Sequence, residues 1–409
     1  MDKRLGYYLV IPALLFIVAF SLLPVIQSLR LSFFDFQIND ESKSNIYFSD
    51  HYNIRLSKQD VYYIDYRLTK QYLPAVKDEA VKSEVISFVA AMNKEHKVIT
   101  SNLKSTDIVK IDEDTKAKIK QFNQTIKNNI NNIIENDQDI NDTLKEDILA
   151  LANELDSTII TSNYVGLDNF VKAFKDERVW ITTGITLIFT FVSVFFELIL
   201  GLVLALVMNL SLKGKGFVRT ASLIPWAIPT AVAALMWAYM YNADSGIVAN
   251  LLAKINIIDN PSVILGSGSK ALIAVITADI WKTTPYMALM LLAGLQTIQP
   301  SLYEASAIDG ASKVQQFFKV TLPLLKPSIL VALLFRTLDA FRVFDLIYVL
   351  TGGGPGGSTE TISIYSYQVL KAQGRLGYGS VIVIFMALLV GLISFVYIKI
   401  LGVKVAKEM

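Results

Sequence analysis

The stretch that decides the fold runs Glu304-Ala305-Ser306-Ala307-Ile308-Asp309-Gly310-Ala311-Ser312 and ends at Val320-Thr321-Leu322-Pro323. It is polar, carries charges of both signs and lies between two long apolar runs. Hydrocarbon offers no partners for such groups, so the stretch reads as a water-side structure tied to two membrane spans.

The rest of the chain supports that reading. Hydrophobic residues make up 53% of it and charged ones only 18%. About 20 apolar residues cross a bilayer core, and six runs meet that length. Leu5 to Leu29 and Thr220 to Ala243 hold no charge, nor does Leu376 to Ile398. Val179 to Leu212 holds only Glu197, and Ala271 to Tyr303 only Asp279 and Lys282. Pro327 to Tyr348 holds Arg336, Asp339, Arg342 and Asp345. The expected fold is an all-α polytopic membrane protein with six transmembrane helices. The first lies in 1–35, and the others fall near 180–210, 219–242, 271–296, 327–350 and 376–399. The first run is too long for a cleaved signal peptide and no small-x-small site follows it, so it reads as a retained helix.

Lys3 and Arg4, then Lys213, Lys215 and Arg219, then Lys313, Lys319 and Lys326, then Lys399, Lys404 and Lys407 all fall on one side of six spans. The positive-inside rule makes that side cytoplasmic, with both termini and the signature loop 300–326. Residues 36–163 then form an extracytoplasmic insert, and 164–409 the membrane core. Without Cys and with only His51 and His96, thiolate chemistry is excluded and a histidine-based metal or catalytic site is disfavoured.

The insert is rich in Lys, Asp, Glu, Asn and Ile. Val61-Tyr62-Tyr63-Ile64-Asp65-Tyr66 reads as strand-prone by its aromatic and β-branched content. Ile119, Phe122, Ile126, Ile130 and Ile133 recur at helical spacing, as do Ile140, Leu144, Ile148, Leu151 and Leu155. A small α+β or mainly helical domain is expected, with Asn136-Asp137-Gln138-Asp139 as a turn. Asp137-x-Asp139-x-Asn141 lacks the Gly and Glu of a calcium loop, which favours a solvated helix–helix turn.

In the signature loop, Ser301 can cap a helix starting near Leu302, with Glu304 closing a capping box. Gly310 allows a tight turn. A second short helix is expected from Lys313 to Thr321, stopping at Leu322-Pro323. Physics alone also allows an ordinary interfacial helix with Phe317 and Phe318 among headgroups.

The spacing of Glu304-Ala305-Ser306, Asp309-Gly310-Ala311 and Leu322-Pro323, before the penultimate span, resembles the signature loop of ABC importer permeases. Tyr164-Val165-Gly166-Leu167-Asp168-Asn169-Phe170, Leu198 to Asn209, and Phe344 to Pro355 look like segments of its carbohydrate-uptake branch, which includes maltose and glycerol-phosphate permeases. Together they cover the first span and residues 164–409, but not the insert. The resemblance implies that Glu304, Ala305, Ser306, Asp309, Gly310, Leu322 and Pro323 couple to a separate ATPase. It also implies a second permease subunit, an extracytoplasmic solute-binding protein, a sugar substrate and a bacterial cytoplasmic membrane. The chain has no phosphate-binding Gly-x-x-x-x-Gly-Lys loop, so it is not expected to be an enzyme or to bind a cofactor itself. ATP and magnesium would belong to the partner ATPase, and no nucleic acid is implied.

Polar residues inside spans usually face a cavity. Asp279, Thr283 and Tyr286 share a helical face, and Lys282 can pair with Asp279. Arg336, Asp339, Arg342 and Asp345 step by three with alternating sign. They read either as a structural ion ladder or as a cavity wall. Trp226 and Thr230 beside Pro225 and Pro229 are further pathway candidates. The family resemblance singles out Tyr286 as a sugar contact. Glu197 stands alone in the sequence and receives no role. Two alternatives stay open: import of an anionic or phosphorylated sugar or polyol, and a membrane receptor with the insert as sensor.

Overall fold

The computed structural model describes residues 3–103, 107–135, 141–210 and 214–401. The turn at Asn136–Asp139, the acidic pattern through Asp137, the stripe's Ile140, and the basic residues Lys213, Lys404 and Lys407 lie outside the described residues. The chain divides into two compact units, one of residues 30–169 with 374–377, the other of the remaining chain.

The first membrane-length helix, α1, is Val10–Leu31, 22 residues long. In the smaller unit, β1 (His51–Asn53) is followed by α2 (Ile54–Tyr66) and α3 (Glu79–Ser101). After β2 (Ile108–Lys110) come α4 (Glu113–Glu135), α5 (Asp142–Glu154) and β3 (Ile159–Ile160). The sheet is antiparallel in the order β2-β1-β3, with Tyr52 opposite Val109 on one side and Ile159 on the other.

The expected strand at Val61–Tyr66 is instead the end of α2. Asn53 caps this helix by accepting from the Leu56 amide at 3.0 Å. Ile54, Val61, Ile64 and Leu68 are buried, whereas Tyr62, Tyr63 and Tyr66 are exposed. The spacing of the aliphatic residues decided the structure, and the β propensity of three surface tyrosines did not. Ile119, Phe122, Ile126, Ile130 and Ile133 form the buried face of α4, against Ile148, Ala152 and Leu155.

The interior of this unit holds an unusual polar group. Tyr52 donates to Ser57 Oγ at 2.5 Å, and Ser57 Oγ lies 3.0 Å from His96 Nε2. A hydroxyl already accepting from Tyr52 donates to the imidazole, which suits a neutral ring. Burial, helped by nearby Lys58, pushes the His96 pKa down to about 4. Asp60 is also buried, and one of its carboxyl oxygens has no partner among the described residues. Burial and the charge of Glu154 push its pKa up to about 7.

These shifts act oppositely on stability. From about pH 4 to 7 the folded unit holds a proton on Asp60 that the unfolded chain releases, so stability falls as pH rises. From about pH 6.5 down to 4 the unfolded chain takes a proton on His96 that the folded unit refuses, so stability falls as pH drops. In the wild type the two slopes cancel over their shared window. Asp60→Asn is expected to leave the His96 slope alone, with stability rising from pH 4 to 6.5. His96→Gln is expected to show the reverse. Thermal unfolding of the full chain in detergent between pH 4 and 8 checks both signs.

In the larger unit α6 (Glu177–Asn209) is 33 residues long, about 50 Å at 1.5 Å per residue. Next come α7 (Lys215–Ala227) and α8 (Thr230–Met240). The expected single span at 219–242 is therefore broken, and its two halves meet at 87°. Pro225 lies inside α7 and Pro229 immediately precedes α8, so the ladder of backbone bonds cannot pass through. Then follow α9 (Gly268–Leu295) and α10 (Pro300–Ile308), and the long α11 (Lys313–Phe341). The short α12 (Asp345–Leu350) and α13 (Ile362–Tyr367) precede α14 (Leu376–Leu401). The span expected at 327–350 ends at Phe341, and α12 is a separate helix.

Among the described residues four helices are long and apolar enough to cross a membrane, or five if the bent pair is one span. The core lies where α6, α9 and α11 meet. There a Cβ on Gly201 would stand 2.7 Å from Met287 Cγ, and one on Gly294 only 2.2 Å from Ser328 Oγ. Such small residues let membrane helices approach closely.

Candidate translocation site

The break between α7 and α8 leaves backbone carbonyls without helical donors. Lys282, on α9, supplies them: its Nζ donates to Ile228 O at 2.8 Å and Trp226 O at 3.3 Å. The expected pairing of Lys282 with Asp279 is thereby corrected. The ammonium holds the kinked segment against α9, and Asp279 turns elsewhere.

It turns to Arg336. This guanidinium, on α11, is only 2% exposed. It forks onto Glu197 of α6, with Nε–Oε2 at 2.5 Å and Nη2–Oε1 at 2.9 Å. Nη2 also bonds Asp279 of α9, and Nη1 meets Asp339 at 3.2 Å. Thr283 donates to Glu197 Oε1 at 2.7 Å. Arginine suits this task because its five donors sit in a fixed planar fork. One cation thus ties three helices together, and Glu197, unassigned from sequence, is its principal partner. The signal was present: a lone carboxylate inside an apolar span implies a buried partner.

The alternating ladder holds only in part. Asp339 is 3.5 Å from Arg342 as well as near Arg336. Arg342, however, is the residue that ends α11, and Asp345 opens α12, beyond the break. Asp345 has no ion pair among the described residues.

Beside this cluster lies a cavity of about 270 Å³, lined by Trp226, Thr230, Thr283 and six charged residues. Three are acidic (Asp279, Asp339, Asp345) and three basic (Lys282, Arg336, Arg342), so the wall is polar but balanced. A second cavity of about 230 Å³ shares Trp226, Thr283 and Arg336 and adds Tyr286 and Phe335. Trp226 and Tyr286 stack there, with centroids 5.8 Å apart and planes within 21°. The structure thus brings together the eight residues Trp226, Thr230, Asp279, Lys282, Thr283, Tyr286, Arg336 and Asp339. An extended aromatic face beside hydroxyl, carboxylate and guanidinium groups can take a ligand that is apolar on one side and hydroxylated on the other.

The signature loop has its own construction. Its first helix, α10, begins with Pro300 at the first helical position, preceded by Gln299, so Ser301 is not the cap and Glu304 closes no box. A capping box does occur later, between Ser312 and Gln315. At the end of α10, Gly310 sits at φ +81°. The Ala311 amide donates to Ser306 O at 2.9 Å and the Gly310 amide to Ala307 O at 3.0 Å. This is a Schellman ending, which requires a left-handed residue at the glycine position. The expected second short helix does not stop at Pro323. It passes through a π-helical segment, Phe317–Thr321, and continues into α11. Pro323 lies inside the continuous α11, directly after that segment, and the π-helical turn is the local adjustment that accommodates the amide it lacks. Tyr303 binds α10 to this helix: its hydroxyl is 3.0 Å from Thr321 Oγ1, and its carbonyl accepts from Gln316 Nε2 at 3.2 Å.

Residues 197–407 match the family described as binding-protein-dependent transport system inner membrane component. The chain is 48% identical over 237 residues to the trehalose/maltose transport system permease protein MalF of Thermococcus litoralis, covering 58% of this chain and 79% of that one. It is 45% identical over 239 residues to the trehalose transport system permease protein SugA of Mycobacterium tuberculosis, covering 58% and 75%. A crystal structure of a bacterial ABC transporter involved in import of the acidic polysaccharide alginate aligns with a TM-score of 0.53 at 25% identity. That alignment covers 60% of this chain and 85% of that one. The buried three-helix cluster, the kinked segment and the Schellman-ended loop all fall inside the matched residues. The chain therefore belongs to the binding-protein-dependent transport system inner membrane components, the permease subunits of ABC importers.

Proposed function

We propose that this permease passes a neutral sugar or oligosaccharide through the cavity beside Arg336. The observation that carries the reading is that cavity's wall: a stacked Trp226–Tyr286 pair beside three acidic and three basic residues. Pyranose rings offer an apolar face for stacking and a rim of hydroxyls for the polar groups. An anion would need surplus positive charge, yet Lys282 is bound to backbone carbonyls and Arg336 to carboxylates. The identities of the trehalose and maltose relatives point the same way. A sensor role draws no support from family membership.

In this reading six spans cross the bacterial cytoplasmic membrane, with α9 and the bent α7–α8 pair among them. Both termini are cytoplasmic, and residues 36–163 form an extracytoplasmic domain. A second permease subunit completes the path, a solute-binding protein delivers substrate, and a separate ATPase uses ATP and magnesium. The matching alginate system has been crystallised with its sugar-bound periplasmic protein. The ATPase would seat on α10 and move α11 through Tyr303, so that nucleotide-driven closure changes access to the cavity. Uptake of labelled maltose or trehalose by the assembled transporter, with binding protein present, tests the reading. Neutral disaccharides are expected to compete and a uronic or phosphorylated sugar is not. Competition by the acidic sugar alone would replace this reading with the anionic one.

A further inference from the structure

At the end of α11 farthest from α10, three aromatic rings converge. Phe344 and Tyr348 stack with centroids 5.1 Å apart and planes within 17°. Tyr367, at the end of α13, lies 4.9 Å from Phe344 and 5.4 Å from Tyr348. Tyr348 is 48% exposed and Tyr367 37% exposed.

The surroundings separate this cluster from a lipid-facing patch. Along Ile188–Phe191 of α6 and Leu388–Phe395 of α14 the large exposed side chains are aliphatic or phenyl: Ile188, Phe191, Leu388, Leu392 and Phe395. The three-ring cluster instead carries two phenol hydroxyls and neighbours exposed Arg342 and Asp345. Phe344 is at once part of the cluster and part of the wall of the 270 Å³ cavity, as is Asp345. The aromatic surface therefore continues into the charged cavity without a break. Asp345 has no ion pair among the described residues, so its two oxygens are available to adjacent hydroxyls of a ligand.

From this geometry we infer that Phe344, Tyr348 and Tyr367, with Asp345, form a second sugar subsite at the mouth of the cavity, distinct from the Trp226–Tyr286 stack. The inference rests on the neutral-sugar reading given above. A pyranose lying on the rings would place its apolar face on the aromatic surface and direct vicinal hydroxyls toward the Asp345 carboxylate. In the proposed orientation this mouth faces the binding protein. The subsite would hold sugar as it leaves that protein, before it reaches the deeper pair. A longer oligosaccharide would occupy both.

The test uses the complete transporter in proteoliposomes with its binding protein, and reads labelled maltose or trehalose imported per ATP hydrolysed. Tyr348→Ala and Asp345→Ala are each expected to lower that ratio about fivefold, the scale of one lost ring contact or hydrogen bond. Tyr348→Phe is expected to keep most of it, because the ring remains. An unchanged ratio in both alanine variants overturns the subsite while leaving the sugar reading intact. Loss of the partner subunits from purified Tyr348→Phe complex overturns it in favour of a subunit interface. If the wild-type complex imports neither disaccharide but does import an acidic sugar, the neutral-sugar reading falls and the subsite with it.

Discussion

Arg336→Met is expected to destabilise the membrane unit by about 3 to 5 kcal/mol, because it strands buried carboxylates without their counter-charge. Glu197 is fully buried and Asp279 nearly so, and both receive the same guanidinium. Glu197 lines neither cavity and cannot recover water as a partner, whereas Asp279 can do so only through the cavity wall. Methionine keeps most of the side-chain volume, so the loss reports charge and hydrogen bonding more than packing. Thermal unfolding of the detergent-purified chain measures it. The triple variant Glu197→Leu, Asp279→Leu, Arg336→Met removes the whole buried cluster. It is expected to regain most of the lost stability, since replacing a complete buried ion network with apolar groups is often near neutral. Transport by the triple variant is expected to stay low, because the cavity loses part of its polar wall. If Arg336→Met unfolds within about 1 kcal/mol of wild type, the cluster is not fully desolvated and its role in tying α6, α9 and α11 falls.

What the sequence disclosed follows the range of the interactions involved. Apolar runs and their lengths are local properties, so α6 and α14 were legible. The loop after α9 was legible only in part: the tight turn at Gly310 is a local backbone requirement, whereas the expected cap at Ser301 and the expected helix stop at Pro323 both failed. The bend between α7 and α8 was less visible. Pro225 and Pro229 announce a break, but an 87° turn depends on Lys282, more than fifty residues away, reaching the freed carbonyls. Helical spacing made Lys282 a neighbour of Asp279, whereas tertiary packing gave each a different partner. Glu197 illustrates the same limit: its arginine lies 139 residues downstream, and no periodicity reports that. In the insert the misread helix α2 had the opposite cause. Its local β propensity was real, but the tyrosines that carried part of it face water, and the β-branched Val61 and Ile64 serve equally well on a buried helical face. The buried trio Ser57, Asp60 and His96 gave no sequence signal either, since single polar residues in a mixed surface pattern look solvated.

Gly310→Val is expected to lower sugar uptake by about tenfold or more in the assembled transporter, because it attacks the ending of α10 and leaves the cavity intact. Valine in the left-handed region costs about 1 to 2 kcal/mol, and its branched Cβ adds to that strain. Gly310 sits at φ +81° with nothing within 4 Å of a built Cβ, so the penalty is conformational and not a clash. Loss of that conformation breaks the amide bonds to Ser306 and Ala307 and frays a helix of only nine residues. The consequence for coupling comes from what α10 presents. Ile308, the last residue of α10, is 87% exposed, a large apolar side chain that a docked ATPase would cover. Tyr303 on the same helix contacts Thr321 and Gln316, at the entry to α11, the helix that carries Arg336. On the proposed coupling, force applied at Ile308 would reach the cavity wall through Tyr303 and α11, and fraying α10 would interrupt it at the start. Gly310→Asn is expected to retain much of the activity, since asparagine tolerates left-handed backbone better than any branched residue. Uptake of labelled disaccharide, with co-purification of the ATPase, checks the order glycine, asparagine, valine. Equal uptake by the wild type and both variants would show that transport does not depend on this helix ending and would overturn α10 as the proposed coupling element.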